Sequence, residues 1–427
     1  MKVMASAPGR ADLLNTHQDY KGLPVVSAAL ALRTRIYAEI HDGATFRITS
    51  ETLAQTDEFP TPKVGERAQL KGGGWFGDYL RAVAQVLLQP KLHDERLGLA
   101  GRIISDVPQS SGLASSAALE VAFASLLNRA YGLGLNRRDI AELAYKAERE
   151  VMGIPCGRLD QYGSALGGIS IIGNRPPYPT ETLGNQNLNL IVIDSGIKHS
   201  TASIHPVRQS EMQAAVRELA QAGLKLPERF DEVRWEDLTE EQLDQYLPSV
   251  SEVSRKRVLF TIRMQRSTEI AISALKGGQF PEKPPGLDFD PKEDKISILG
   301  KVMDYQHELL RDYYDVSLTE LETMRVAAES EGAIGVKISG SGMGGSLVGL
   351  LPKEVNGENV VRAAIAAGAR SAWSVRVGGG EISKSSARRA PYAINPIEMR
   401  IRLFTRPLIG THRSFYPSPF RSIGVRR

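Results

Sequence analysis

A chain of 427 residues is long enough for two domains or one large two-lobed enzyme, and 42% hydrophobic with 24% charged residues is ordinary for a soluble globular protein. No apolar run approaches the roughly 18–20 residues of a membrane span. The opening residues lack a signal peptide's charged and apolar regions, and the single cysteine, Cys156, excludes an internal disulfide and a cysteine-built zinc site. The net charge of +4 is unevenly placed: residues 387–427 hold nine arginines, no lysine and one acid, Glu398, which leaves −4 for the rest. A cytoplasmic protein, monomer or homodimer, is expected, with no nucleic-acid or membrane partner for its body.

The chain opens on "APGRADLLNTHQDY" (7–20), an unusual density of polar chemistry around a short apolar run. Strands are then predicted at 25–32 and 34–42 from their β-rich composition. A helix over 114–133 follows from the spacing of Leu119, Ala122, Phe123, Leu126 and Leu127. A second, over 136–153, has Asn136 as its N-cap and Gly153 at its stop. A strand at 188–196 precedes a highly charged region, 205–330, read as helices with solvated faces and interrupted by a proline-rich loop at 281–294. Strands at 345–352 and 372–380 complete the pattern, which is that of an α+β protein.

Three stretches carry chemistry. In "DVPQSSGLASSAALEVA" (106–122) a small-residue loop, Ser110, Ser111, Gly112, Leu113 and Ala114, runs into a helix starting near Ser115. The free N–H groups and dipole of such a helix start form an anion site. An ordinary serine-rich cap is an equal alternative on the loop alone, and no Walker A lysine follows. "KISGSGMGGSLVGLL" (337–351) is denser in glycine than a turn requires, which favours a ligand loop. In the third, Glu148 on a helix and Asp160 after a turn-rich loop form a carboxylate pair suited to Mg²⁺ or to general-base work, although each alone reads as a surface acid.

In this order the stretches resemble the motifs of the GHMP kinases, and within them galactokinases. "PGRADLLNTHQDY" is similar to the signature PGRVNLIGEHTDY, "PQSSGLASSAALEVA" to PxGxGLSSSAxLEVA, "CGRLDQ" (156–161) to CGxMDQ, and "DSGIKHSTAS" (194–203) to NSxVKHxLAS. "LLRDYYDVSLTELE" (309–322) resembles SLRDxYxVSCPELD, and "KISGSGMGG" resembles KMTGAGFGG. The match runs from about Ala7 to Gly380.

The resemblance implies a two-lobed fold, residues 1–187 and 188–386, with the active site in the cleft between the lobes. It implies ATP-dependent phosphorylation of the C1 hydroxyl of galactose. Asp160 would be the base and Arg10 its partner and charge stabiliser. Ser116 and Glu148 would contact Mg²⁺. Residues 110–116 would wrap the ATP phosphates, and Gly340, Ser341, Gly342 and Gly344 would close the site from the other lobe. His17 and Asp19 match positions that hold sugar hydroxyls.

Three departures bear on the sugar. Thr16, preceded by Asn15, replaces the family glutamate that contacts the far end of galactose. The usual tyrosine after KHxLAS has no direct counterpart, His205 occupying that neighbourhood with one residue missing, and Arg158 stands where an apolar residue is usual, two positions before Asp160. A lost carboxylate and a gained cation make a uronic acid such as galacturonate the competing substrate. A non-catalytic sugar sensor is the other alternative, disfavoured because Arg10, Ser116, Glu148 and Asp160 are all present. The basic segment 387–427 lies beyond the resemblance and reads as a poorly ordered extension before it reads as a nucleic-acid arm.

Overall fold

The computed structural model describes residues 1–63, 65–88, 97–109, 111–197 and 201–385, without the side chains of 201–203 and 385. Ser110, residues 198–200 and the basic segment 387–427 lie outside the described residues.

The opening stretch lies on a strand. β1 (Lys2–Leu14) pairs antiparallel with β2 (Val25–Asp42), and residues 5–14 are buried throughout. β2 is one strand where two were predicted: Arg33 interrupts the composition, and the ladder with β1 shifts register between the Pro8–Arg33 and Arg10–Ala29 pairs, but the strand continues through it. Its guanidinium is satisfied by Ser6 and by the carbonyls of Gly379 and Gly380. β3 (Thr45–Ser50) and β4 (Gln55–Pro60) form a hairpin, α1 (Phe76–Leu88) follows, and β5 (Leu97–Ser105) runs parallel to β3.

Two helices, α2 (Ser115–Ala130) and α4 (Leu159–Leu166), cover one face of this sheet, and α3 (Arg137–Lys146) packs on both of them. Strand alternation explains the arrangement. Ile36, Ala38 and Ile40 of β2 bury with Val121, Phe123 and Leu126 of α2, while Tyr37 and Glu39 face outward. Asn136 caps α3 in a capping box with Asp139. The helix predicted to reach residue 153 changes to a π-turn over Ala147–Val151.

β6 (Ile169–Ile172) and β7 (Thr180–Thr182) add to the β2 side, and β8 (Asn189–Asp194) begins a second sheet. The charged middle region is helical, as its pattern implied: α5 (Thr201–Gln221), α6 (Glu240–Leu243), α7 (Glu252–Lys276), α8 (Lys295–Glu308) and α9 (Thr319–Ser330). The proline-rich segment connects α7 to α8, and Asp294 caps the latter. β9 (Ile334–Ser339), β10 (Ser346–Leu350), α10 (Gly357–Ala366) and β11 (Ser371–Arg376) complete an antiparallel sheet of order β11-β8-β10-β9.

Two features join the halves. The distal residues of β1 and β2, among them Leu13, Leu14, Val26 and Leu30, lie in one apolar core with α7, α8 and the second sheet. The last strand, β12 (Ile382–Ser385), then pairs with β1, so the chain from residue 188 onward ends in the first sheet. The functional residues of β1 therefore lie where the two halves meet.

Candidate active site

Arg10 is the hub of the site. Its Nε and Nη2 donate to Asp160 Oδ1 at 3.0 and 2.6 Å, and its Nη1 donates to the Gly112 carbonyl at 2.6 Å. The backbone N–H of Arg10 donates to the Leu113 carbonyl at 3.0 Å. Gly9 permits this approach, since a Cβ there would lie 2.8 Å from the Leu113 oxygen. Asp160 sits in the first turn of α4, which is docked on β1 by Ser164 Oγ donating to the Pro8 carbonyl at 2.7 Å. Both arginine contacts fall on Oδ1, so Oδ2 keeps its lone pairs for another donor, and the side chain remains 33% exposed.

The loop carried by Arg10 ends at the start of α2. The N-cap residue Ala114 takes a left-handed conformation (φ 56°, ψ 49°) and makes no side-chain cap, so among the described residues the first-turn N–H groups at Ser115 and Ser116 are a candidate anion site. Beside them opens a cavity of about 340 Å³ whose walls include Ser50, Gln55, Tyr79, Gln109, Ser115 and Ser116. These are neutral polar groups around an aromatic ring. A larger hollow of about 630 Å³ lies beside Tyr37 and Arg102 and contains none of the candidate residues.

The second glycine-rich loop meets the first. Ser346 Oγ donates to the Ser111 carbonyl, and a Cβ on Gly112 would lie 3.8 Å from the Ser339 oxygen. Not all of the glycines serve a ligand. A Cβ at Gly342 would lie 2.5 Å from the Val316 oxygen, and one at Gly344 would lie 2.6 Å from the Ile197 oxygen, so both are required by packing. Gly340 faces open space.

Behind Asp160 stands an acidic group that the sequence reading had only half found. Glu148, on the π-turn, accepts from Gln161 Nε2, which also donates to Glu120 Oε2 at 3.0 Å. Burial, and after it the charge of Asp160, pushes the Glu148 carboxyl up to about 7. Burial and the Glu148 charge hold Glu120 well above the usual range. Glu120 and Gln161 lie inside quoted motifs but were not singled out, because nothing local says that a helix-interior glutamate points at a site.

The signature's far end differs from expectation. Asp19 is buried near Gly157 and Asp160: a Cβ on Gly157 would lie 2.6 Å from its Oδ2, and burial with the Asp160 charge raises its carboxyl pKa. Thr16 is 1% exposed, and its hydroxyl accepts from Lys337 Nζ at 2.8 Å. Lys337 also donates to the backbone carbonyls of Ile338 and Asp12, and the buried Asp12 carboxyl group attracts its charge. His17 has both ring nitrogens engaged, Nε2 with the Ser341 carbonyl at 3.1 Å and Nδ1 with the Tyr20 hydroxyl at 3.0 Å. His205 does come to this end, its ring 5.3 Å from those of His17 and Tyr20.

Arg158 requires a correction. Expected beside the sugar, it pairs instead with Glu142 of α3 at 3.0 Å, and its guanidinium lies over the rings of Tyr178 (3.6 Å) and Tyr145 (4.2 Å). A planar cation between two rings and a carboxylate is already satisfied. The cation gained in sequence is thus used to fasten α4 to α3. Ser110 is outside the described residues.

Sequence profiles of three families match the chain: GHMP kinases N terminal domain over residues 78–168, GHMP kinases C terminal over 292–370, and galactokinase galactose-binding signature over 1–39. The galactokinase of Thermococcus kodakarensis is 31% identical over 354 residues, covering 81% of this chain and 88% of that protein. The galactokinase of Chloroflexus aggregans is 32% identical over 389 residues, covering 88% and 89%. Among solved structures, Lactococcus lactis galactokinase complexed with galactose superposes with a TM-score of 0.71 at 22% identity, over 89% of this chain and 95% of that one. L. major mevalonate kinase in complex with R-mevalonate gives 0.59 at 22% identity, over 88% and 95%. The chain has the GHMP kinase fold and belongs to that superfamily, as an ATP-dependent sugar kinase most similar to galactokinases.

Proposed function

We propose that the protein transfers the γ-phosphoryl group of ATP to the C1 hydroxyl of galactose. The observation that carries this reading is the placement of one guanidinium between the Asp160 carboxylate and the Gly112 carbonyl, which sets a base beside an anion loop. Asp160 accepts the C1 hydroxyl proton on its open oxygen, and Asp19 accepts a second sugar hydroxyl. Arg10 pairs with the base and faces the charge of the moving phosphoryl group. The N–H groups at the start of α2 receive the phosphates, and the neutral cavity beside Tyr79 receives the base and ribose.

Ser116 and Glu148 are oxygen donors of the kind Mg²⁺ takes. Among the described residues no group of three acidic, histidine or cysteine side chains could hold a metal by itself. The donors therefore fit a cation that arrives with the nucleotide. Such a cation supplies charge neutralisation at the phosphates, and the mutual repulsion of Glu120, Glu148 and Asp160 favours its presence.

Galactose is preferred to galacturonate because Arg158, the cation that motivated the acid, is occupied elsewhere. The test is ADP release from ATP with galactose, for the wild type and for Asp160→Asn. Sugar-dependent release abolished by the substitution supports the reading, and release that survives it removes Asp160 from its role.

A further inference from the structure

The His17 side chain joins two of the three motifs. Its Nε2 faces a backbone carbonyl, Ser341 O, which can only accept, so Nε2 carries the proton. Nδ1 is then the acceptor, and the Tyr20 hydroxyl donates to it. The Tyr20 oxygen in turn lies 2.7 Å from the Tyr314 hydroxyl, and Tyr314 is stacked on Phe260 with ring centroids 3.9 Å apart. A directed chain of hydrogen bonds thus runs from the α7 layer through Tyr314, Tyr20 and His17 to the glycine-rich loop at 340–345.

The chain is rigid at the His17 end. Asn15 and His17 both adopt φ of 65°, a left-handed conformation disfavoured for such residues. Buried amides hold the segment there: Asn15 Nδ2 donates to Gln265 Oε1 at 2.8 Å, and Asn15 N–H to Gln306 Oε1 at 3.2 Å. Across the loop, Met343 N–H donates to the Val316 carbonyl at 2.7 Å and Ser195 Oγ to the Gly345 carbonyl at 2.7 Å. These contacts fix the loop's far side, and His17 fixes Ser341.

We propose that His17 is a positioning residue that holds the 340–345 loop through Ser341 in the place the nucleotide phosphates require, tying the sugar signature to nucleotide binding. The proposal rests on the reading that this loop receives the nucleotide. It departs from the expectation that the His17 ring holds a sugar hydroxyl, for which neither ring nitrogen is free.

The experiment compares His17→Phe, which keeps the ring and removes both bonds, with His17→Gln, which restores an N–H donor, and with Tyr20→Phe, which frees Nδ1 only. Loss of one buried hydrogen bond to the loop is expected to raise the KM for ATP about tenfold in His17→Phe, with the sugar KM changed less than about threefold. His17→Gln should recover part of the loss, and Tyr20→Phe should shift the ATP KM in the same direction by a smaller factor. A rise confined to the sugar KM, or equal in both, overturns the proposal.

Amide hydrogen exchange without any ligand provides a readout independent of catalysis, and it remains available in Tyr20→Phe if His17→Phe fails to fold. Exchange in peptides spanning 340–345 should quicken while that of α2 is unchanged. Unchanged exchange in that loop overturns the proposal even if kinase activity is confirmed. Absence of ATP binding by the wild type would instead remove the functional reading, and exchange would still report on the His17 bond.

Discussion

Arg10 Nη2 lies 2.6 Å from Asp160 Oδ1, while Nη1 of the same guanidinium lies 2.6 Å from the Gly112 carbonyl oxygen. One buried fork from β1 therefore fixes the distance between the base on α4 and the loop that opens α2. A lysine offers a single ammonium and cannot make both contacts in this geometry. Arg10→Lys is expected to lower kcat by about 100-fold or more, with a smaller change in the ATP KM. Steady-state kinetics check this; a kcat within threefold of wild type would contradict the bridging role.

Asp160→Asn keeps the size of the side chain and an acceptor for Arg10, and removes only the base. Turnover should fall by roughly three orders of magnitude or more, with nucleotide affinity within a few-fold of wild type. Fluorescent-nucleotide titration beside the ADP assay separates the two effects.

Glu148→Gln tests the cation reading. The amide is a poorer cation ligand, and the substitution relieves the repulsion that a dication would offset. The Mg²⁺ concentration for half-maximal activity should rise about tenfold, with activity recovered in part at high Mg²⁺. An unchanged Mg²⁺ requirement would place the cation away from Glu148.

The buried Asp12–Lys337 pair gives a pH-dependent expectation. Burial raises the Asp12 carboxyl to about 6 from 3.8, outweighing the opposing attraction of Lys337, and burial lowers Lys337 to about 8. A raised folded-state carboxyl pKa means that the unfolded chain loses its proton first. Stability from this group is therefore lost as pH rises from about 4 to about 6. The lysine acts oppositely, and its contribution grows as pH rises from about 8 towards 10.5. Asp12→Asn should accordingly be as stable as wild type near pH 4 and more stable near pH 7, by at most about 3 kcal/mol. Thermal melting at the two pH values decides it, and a variant less stable at pH 7 than at pH 4 relative to wild type would show that the buried Asp12 charge is net stabilising.

Arg158→Ala should cost about 1–2 kcal/mol through loss of the Glu142 pair and the stacking on Tyr145 and Tyr178. Its effect on kcat/KM should be the same for galactose and galacturonate. A loss specific to the uronic acid would return Arg158 to the sugar site.

The parts of the site legible in sequence were those whose chemistry is local. A loop of small residues entering an amphipathic helix implies an anion site within a dozen residues, and α2 begins at Ser115 where that pattern puts it. Arg158 was misread because a charge has a sign in sequence but no direction; Glu142 and Tyr178 converge on it only through the packing of α3 and α4. The Asp12–Lys337 pair joins residues more than three hundred positions apart, and no periodicity announces it. Tyr79 and Gln55 reach the cavity beside α2 from α1 and the β3–β4 hairpin, segments to which no motif was assigned. Arg33 read as a break between two strands, because composition does not show that backbone carbonyls wait for its guanidinium.

The most direct test is the product itself. Wild-type protein with ATP, Mg²⁺ and galactose should release ADP, and ³¹P NMR of the product should show a phosphate coupled to the anomeric proton. No release with any sugar of a panel that includes galacturonate, or a phosphate attached at a position other than C1, would contradict the proposed reaction.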